Sequence, residues 1–208
     1  RGNLLFIRRR CEWRGIAVTE TSAGLGEPID PDAHDLIYIG GGQDRDQRIV
    51  AEDLVRTKRE ALAAALAGGT AMLAVCGGYQ LLGHSYQLGD ETIEGLGLVD
   101  LRTVREEGPR LIGNIAIEVD LGTGKRVLAG FENHGGRTYL GAGEEPLGRV
   151  LHGHGNNGRD GFEGVRRGGL IGTYMHGPLL PKNAWLADHL IALALARRAG
   201  AAPELAPL

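Results

Sequence analysis

Apolar residues in the first 83 positions follow two different periods. Short segments in which most residues are apolar or small predict buried strands at residues 16–19, 35–39 and 70–75. Longer segments with apolar residues three and four positions apart predict helices at residues 3–14 and 46–66, each closely followed by glycine. Strands without polar alternation are typical of a parallel sheet covered by helices on both faces. The pattern therefore predicts an α/β fold with a doubly wound, mainly parallel sheet.

The pattern changes after residue 83. Apolar segments joined by glycine-rich loops predict strands at residues 98–104, 110–119, 127–133, 162–166 and 170–174, followed by a last helix at residues 182–198. Because no helix is predicted between these strands, we expect a mixed or antiparallel extension of the sheet. We interpret residues 1–208 as one domain, since no linker or repeat divides the chain. The chain begins in a helical pattern without methionine, so we also expect that a first strand precedes residue 1.

Composition and charge narrow the class of protein. A chain of 208 residues with 42% hydrophobic content can bury one sizeable core. A net charge of −3, with both signs mixed, gives no electrostatic footprint for nucleic acid. No apolar run approaches the roughly 18 residues that a transmembrane helix needs. Two distant cysteines without a secretory signal indicate a reducing, cytoplasmic setting. The arginines at residues 8–10 are predicted to form a solvated helix face.

Cys76 carries the strongest chemical signal in the chain. It lies between the predicted strand at residues 70–75 and a helix that opens with Gly77 and Gly78. In this position backbone N–H groups point outward, and the helix dipole favours a thiolate. The glycines permit a sharp turn that leaves the sulfur uncovered, as in a nucleophile elbow. We therefore predict that Cys76 is a nucleophile, whereas Cys11, on a predicted helix, is a packing residue.

A cysteine nucleophile needs a base and a site for the oxyanion. Among seven histidines, His176 is the best placed, because it follows a predicted strand whose end lies at the same sheet edge as Cys76. His134 is the main rival. The glycine run at residues 40–42 follows another strand, so the N–H of Gly41 or Gly42 could bind an oxyanion together with the N–H of Gly77. A phosphate-binding turn or an ordinary loop fits that composition equally well.

Metal and nucleotide sites are not predicted. His152 and His154 form a His-x-His pair in a loop without further ligands nearby, which favours a plain surface loop over a metal site. The glycine-containing segments at residues 95–97 and 122–125 lack the complete spacing of nucleotide-binding motifs. Any chemistry driven by ATP would therefore belong to another chain.

Together these segments resemble the class I, or triad-type, glutamine amidotransferases, and within them the cobyric acid synthase-like group. Residues 74–83 match the elbow of that group, and residues 173–178 match its histidine motif. Further segments at residues 38–47, 110–114 and 131–138 look like those of the glutaminase subunits of lipid II isoglutaminyl synthase.

The resemblance implies that the chain hydrolyses L-glutamine through a thioester on Cys76, with His176 as the base and His134 in a structural role. It also implies that Arg110 binds the substrate, since a guanidinium can hold an α-carboxylate through two hydrogen bonds. The expected partner is a Mur ligase-like subunit in a heterodimer, which would use ATP and Mg²⁺ to amidate the D-glutamate of lipid II with the released ammonia. This chain itself would need no cofactor. The lipid-linked acceptor implies a cytoplasmic location near the inner membrane face.

One position departs from the triad pattern. Most triad amidotransferases carry a carboxylate two residues after the histidine, where this chain has Pro178. A carboxylate elsewhere in the chain, or one from the partner, would then have to orient His176. Three other functions stay open: amidation of cobyric or cobyrinic acid, cysteine-dependent hydrolysis of another substrate class, and a non-catalytic interaction subunit.

Overall fold

The fold combines helices and strands, with a segment without regular secondary structure between residues 13 and 35. The computed structural model describes residues 2–42, 44–201, 203 and 205–208, and their side chains except at residues 44–46 and 88. The helices are α1 (Gly2–Glu12), α2 (Asp44–Asp53), α3 (Arg59–Ala67), α4 (Gly77–Leu81), α5 (Leu179–Lys182) and α6 (Ala184–Ala199), with a π-helical segment at Leu54–Lys58. The strands are β1 (Leu36–Ile39), β2 (Ala71–Val75), β3 (Ser85–Leu88), β4 (Glu91–Glu94), β5 (Leu101–Arg105), β6 (Leu111–Asp120), β7 (Lys125–His134), β8 (Gly136–Leu140), β9 (Gly148–His152), β10 (Phe162–Glu163), β11 (Val165–Arg167) and β12 (Leu170–Thr173).

The described strands form three four-stranded sheets. The first has the order β1-β2-β12-β11, in which β2 is parallel to both β1 and β12, and β11 is antiparallel to β12. The second has the order β4-β3-β5-β8 and the third the order β10-β9-β6-β7, both largely antiparallel. The predicted α/β class with mixed sheets flanked by helices is confirmed. The antiparallel extension is larger than expected and forms separate sheets rather than one.

Strand β2 shows why its segment has no polar alternation. Leu73 and Val75 belong to one apolar cluster, in which they pack with residues of α6 such as Leu186. Met72 and Ala74 belong to a second cluster on the opposite side. Because successive side chains of a strand point to opposite faces, a strand covered on both faces must be apolar throughout. All five residues of β2 are accordingly buried.

Four short strands, β3, β4, β8 and β9, were not predicted, and one predicted strand is absent. Residues 16–19 have no regular secondary structure, and most of them are exposed. Without a strand neighbour among the described residues, an extended conformation there gains no ladder of hydrogen bonds. The unpredicted strands contain many polar residues, since each is buried on one face at most or lies at the edge of the cavity described below.

The arginine run in α1 is not wholly a solvated face. Arg10 is buried, and its Nε and Nη2 donate to the two carboxylate oxygens of Asp188 in α6, each at 2.6 Å. Arg14 donates to the same carboxylate at 3.1 Å. A two-pronged guanidinium–carboxylate pair fixes direction as well as distance. It therefore sets the position of α1 against α6. Cys11 is buried in the adjoining apolar cluster, as its prediction as a packing residue requires.

Gly172 in β12 provides a test of this packing. A Cβ added there would lie 2.5 Å from Cδ2 of Tyr79 and 3.1 Å from Cδ1 of Leu82. We expect Gly172→Ala to lower the free energy of unfolding by about 2 kcal/mol, because the crowded core would have to shift. The matched control is Gly113→Ala in β6, where a Cβ meets no atom within 4 Å. Urea unfolding should show a change within about 0.5 kcal/mol for the control. Equal effects at both positions would contradict the packing argument.

Candidate active site

Cys76 and His176 follow two neighbouring strands. In the parallel pairing of β2 with β12, Val75 lies opposite Thr173, and the N–H of Cys76 donates to the carbonyl oxygen of Thr173 at 2.8 Å. Beyond β12 the chain pairs with β7, where His176 and Phe131 exchange both backbone hydrogen bonds, at 2.9 and 3.1 Å. The carboxyl ends of parallel strands thus carry both residues to one edge of the sheet.

The backbone at Cys76 is strained. Its φ of 54° and ψ of −111° make it the one residue other than glycine with positive φ in the described part of the chain. Gly78, two positions later, has no room for a side chain, since an added Cβ would lie 2.6 Å from the carbonyl oxygen of Ile39. Strain of this kind persists only where surrounding structure enforces it, and it is concentrated at functional sites. The geometry is that of a sharp strand-to-helix elbow that exposes its cysteine.

The glycine loop after β1 packs against this elbow. A Cβ on Gly41 would lie 3.2 Å from the Cβ of Cys76 and 3.5 Å from the backbone nitrogen of Gly77. Gly42 lines the same cavity as Cys76. The three glycines predicted to bind an oxyanion therefore lie beside the nucleophile. Gln43 of the same motif lies outside the described residues, as do the side chains of residues 44–46.

A cavity of about 540 Å³ opens beside Cys76, and Arg110 forms part of its wall. The Nε of Arg110 donates to Oδ1 of Asn133 at 3.0 Å, and its Nη2 donates to the Asn133 carbonyl oxygen at 3.1 Å. The register of β6 and β7, which pairs Leu111 with His134, holds the two residues together. Since Asn133 engages one side of the guanidinium, the side chain is oriented before any ligand binds. A second cavity, of about 490 Å³, lies beside His189. None of the predicted site residues that the structure describes lines it.

His134, the rival base, is almost fully buried. Its ring stacks on Tyr174 with centroids 3.5 Å apart, and its Nδ1 lies 2.9 Å from the carbonyl oxygen of Gly136. Because a carbonyl oxygen can only accept, Nδ1 must carry the hydrogen. Nε2 then faces a carboxylate oxygen of Glu132 at 3.7 Å. His134 lines the same cavity as Cys76, whereas His176 is not among the residues of that wall. The contacts of the His134 ring hold it in a fixed place in the wall, which suits the structural role that the resemblance implies.

His176 is partly buried, and its ring meets the ring of Phe131 edge to face at a centroid distance of 5.9 Å. Burial lowers the pKa of His176, and the nearby His134 lowers it further. A lowered pKa keeps the imidazole neutral, which is the form that accepts a proton. Within the described residues no carboxylate pairs with the His176 ring. Most triad amidotransferases have a carboxylate at the position of Pro178 that orients the histidine. None of the described side chains of this chain takes its place.

Buried hydroxyl groups tie the elbow helix to the second sheet. The Tyr174 hydroxyl lies 2.6 Å from Oγ1 of Thr138 and accepts a hydrogen bond from Nε2 of Gln80 at 3.2 Å. Thr138 in turn bonds to Thr103 at 2.8 Å. Since each of these groups has a partner, burial does not leave them unsatisfied. The network fixes Gln80, and with it α4, relative to β5 and β8.

Glu163 braces the strand end that leads to His176. It is fully buried, and it accepts hydrogen bonds from the Thr173 hydroxyl at 3.0 Å and from the Tyr174 N–H at 2.7 Å. Burial raises the pKa of Glu163 to about 8, against the lowering effect of these hydrogen bonds. A carboxyl group kept neutral in the interior is consistent with its lack of a cationic partner among the described residues.

Sequence reasoning missed several residues of this region, among them Gln47, Asn133, Glu163 and Tyr174. Gln47, Asn133 and Tyr174 lie within segments already recognised as motifs. Membership of those segments was the signal that could have identified them. Glu163 gave no signal, because its burial follows from a contact between β10 and β12 that local sequence does not reveal. Among the described residues, no group of three His, Cys, Asp or Glu side chains could hold a metal ion. None of the described helices is long and apolar enough to cross a membrane.

Comparison with known proteins identifies the family of the chain. Residues 2–184 match the CobB/CobQ-like glutamine amidotransferase domain. The chain is similar to the lipid II isoglutaminyl synthase (glutamine-hydrolyzing) subunit GatD of Staphylococcus aureus (strain N315), with 43% identity over 199 residues, or 95% of this chain and 79% of the relative. Similarity to GatD of Streptococcus pneumoniae (strain ATCC BAA-255 / R6) is 38% over 200 residues, or 96% and 76% of the two chains. Cobyric acid synthase of Pelotomaculum thermopropionicum is 35% identical over 192 residues, which cover 83% of this chain and 34% of the relative.

The chain belongs to the CobB/CobQ-like glutamine amidotransferase family. The resemblance read from its elbow and histidine motifs is thereby confirmed.

The buried carboxyl group of Glu163 predicts a pH dependence of stability. With a pKa of about 8 in the folded protein and an ordinary value of 4.5, Glu163 binds a proton on folding between these limits. Its contribution to stability is therefore greatest below pH 4.5 and is lost as the pH rises through 8. Between pH 5 and pH 8.5, ionisation of Glu163 should lower the unfolding free energy of the wild type by about 4 kcal/mol, and Glu163→Gln should lack this decrease.

Urea unfolding across this pH range measures the effect as a difference between wild type and variant. Glu20→Gln, on an exposed segment, is the matched control and should leave the pH profile unchanged. Parallel profiles for wild type and Glu163→Gln would show that Glu163 is ionised in the folded protein.

Proposed function

We propose that this chain is the glutaminase subunit of a lipid II isoglutaminyl synthase, which hydrolyses L-glutamine to glutamate and ammonia. The observation that carries the proposal is the strained Cys76 elbow, which packs against the glycine loop and shares one cavity with the oriented Arg110. The similarity to two GatD subunits over nearly the whole chain supports the choice of substrate and complex.

The reaction begins with transfer of the Cys76 thiol proton to His176. The thiolate attacks the side-chain amide carbon of glutamine, and the N–H of Gly77 with that of Gly41 or Gly42 stabilises the oxyanion. Collapse of the tetrahedral intermediate breaks the C–N bond, and His176 delivers its proton to the departing ammonia. His176 then takes a proton from water, which attacks the γ-glutamyl thioester and releases glutamate and the free thiol.

Arg110 would bind the α-carboxylate of glutamine. Its guanidinium is already held by Asn133, so little side-chain entropy is lost when the substrate binds. The α-carboxylate does not change during the reaction. Arg110 therefore contributes equally to binding of the substrate and of the transition state.

The partner would be a Mur ligase-like subunit that binds ATP and Mg²⁺ and uses the ammonia to amidate D-glutamate of lipid II. Such an acceptor would place the complex in the cytoplasm near the inner membrane face. The His176 ring has no carboxylate partner among the described residues, which supports a carboxylate donated by the partner. Full glutaminase activity would then require the heterodimer.

Amidation of cobyric or cobyrinic acid is the alternative within the family. The cobyric acid synthase compared above is less similar, and the match covers only 34% of its length, against 79% for GatD of Staphylococcus aureus. The similarity to two subunits named as glutamine-hydrolyzing argues against a non-catalytic subunit, and the backbone strain at Cys76 is of the kind concentrated at functional sites.

Labelling with a diazo-ketone analogue of glutamine tests the proposal. We expect one covalent adduct, located on Cys76 by peptide mass spectrometry and prevented by excess glutamine, because the reagent needs both a bound glutamine skeleton and a thiolate. Cys11, buried in the core, serves as the internal control and should stay unmodified. Cys76→Ala should abolish both the adduct and the release of ammonia. A Cys76→Ala complex that still hydrolysed glutamine would refute the assignment, as would wild-type complex that formed no adduct.

Replacement of Arg110 tests the substrate contact. Arg110→Ala should raise KM for glutamine about 10- to 100-fold, the range expected when a hydrogen-bonded ion pair is lost, with kcat nearly unchanged. Arg110→Lys keeps the charge but not the two-pronged geometry, so its KM should lie between those of wild type and Arg110→Ala. Steady-state measurement of ammonia release in the complex gives both constants. An unaltered KM in Arg110→Ala would remove Arg110 from the substrate site.

A further inference from the structure

Gln47 is a buried polar residue in the wall of the active-site cavity. It lies on α2, shortly after the glycine loop, and only 4% of its surface is exposed. Gln47 lines the same cavity as Cys76 and Gly42. Ala51 and Leu54, farther along the same helical stretch, are buried in an apolar cluster, so the backbone that carries Gln47 is anchored. Its side chain is therefore a fixed part of the site.

The carboxamide of Gln47 lies directly against the nucleophile elbow. The Nε2 atom of Gln47 occupies the space that a Cβ on residue 77 would need. The Cδ atom of Gln47 lies 3.0 Å from the position of that added Cβ. Only glycine at residue 77 leaves room for this approach. The Gln47 carboxamide thus lies against residue 77, which follows Cys76 and whose N–H is one of the proposed oxyanion donors.

The hydrogen bonding of this carboxamide is incomplete. Its Oε1 is buried and has no hydrogen-bond partner among the described residues. Its Nε2 carries two N–H donors and lies at the elbow, in the wall of the cavity. A buried amide left unpaired is unfavourable, and such groups in native proteins call for an explanation. Donors at the elbow would acquire an acceptor when negative charge forms on the substrate oxygen.

We propose that Gln47 is a catalytic residue whose side-chain N–H donates to the oxyanion of the tetrahedral intermediate. It would act together with the backbone N–H of Gly77 and that of Gly41 or Gly42. A donor fixed by packing before the reaction stabilises developing charge without reorganisation. This inference rests on the proposed glutaminase function, since it assigns a further donor to that reaction.

Kinetics of Gln47 variants in the complex with the partner ligase test the inference. Gln47→Ala should lower kcat for glutamine hydrolysis about 100-fold, as expected for loss of one oxyanion donor, with KM within about threefold of wild type. Gln47→Glu has nearly the same shape but places a negative charge beside the oxyanion. Its kcat should therefore fall below that of Gln47→Ala.

Alkylation of Cys76 by iodoacetamide separates this role from a structural one. In that reaction the sulfur displaces iodide from a CH₂ group, so no oxyanion forms and Gln47→Ala should react within about twofold of wild type. Gln47→Glu is left out of this comparison, because its negative charge would itself disfavour the thiolate. Glu52→Ala is the control, because Glu52 lies on the same helix α2 as Gln47, but its side chain is exposed and outside the cavity wall. Its kcat should stay within about threefold of wild type.

Three results would overturn the inference: kcat of Gln47→Ala within threefold of wild type, a raised KM with unchanged kcat, or a parallel loss of alkylation. A raised KM alone would show that Gln47 binds the substrate without stabilising the transition state. A parallel loss of alkylation would show that Gln47 maintains the reactivity of the Cys76 thiol. Failure of the proposed function is distinguishable, because wild-type complex would then release no ammonia from glutamine.

Discussion

The hydrogen bond from the Cys76 N–H to the Thr173 carbonyl oxygen joins the ends of two parallel strands, and the site depends on it. Strand β2 brings in the nucleophile and β12 leads to His176, so their register fixes the distance between the two. A slip by one residue would turn every side chain of the strand to the opposite face. The buried clusters on both sides of β2 prevent such a slip, since Leu73 and Met72 fill different cores.

Close backbone packing then converts this register into an active site. Gly41, Gly77 and Gly78 let the loop after β1, the elbow and the start of α4 approach one another without side chains between them. Presentation of the sulfur at that junction requires a positive φ at Cys76, which is energetically unfavourable for a residue other than glycine. Buried polar groups beneath it, from Gln80 through Tyr174 to Glu163, hold the strained segment through hydrogen bonds that water cannot reach.

The sequence was sufficient for the parts of the fold that local pattern controls. The apolar segment of β2 and the glycines after it indicated both the elbow and Cys76, because strand burial and sharp turning each need specific residue types. Contacts between distant segments were beyond reach. The burial of Arg10 depends on Asp188, and the burial of Glu163 depends on β12, neither of which is near in sequence. At residues 16–19 the local pattern was misleading, because an apolar segment does not form a strand unless a second strand pairs with it.

Which catalytic groups this chain supplies, and which the partner would have to supply, determines how glutamine hydrolysis is controlled. Cys76, the glycines proposed as oxyanion donors and the oriented Arg110 all belong to this chain. His176 differs, because its ring has an aromatic neighbour and a lowered pKa but no carboxylate among the described residues. A neutral imidazole can accept the thiol proton, yet the described side chains offer no counter-charge to the imidazolium that results. If the partner supplies that carboxylate, glutamine is hydrolysed efficiently only where a ligase is present to use the ammonia.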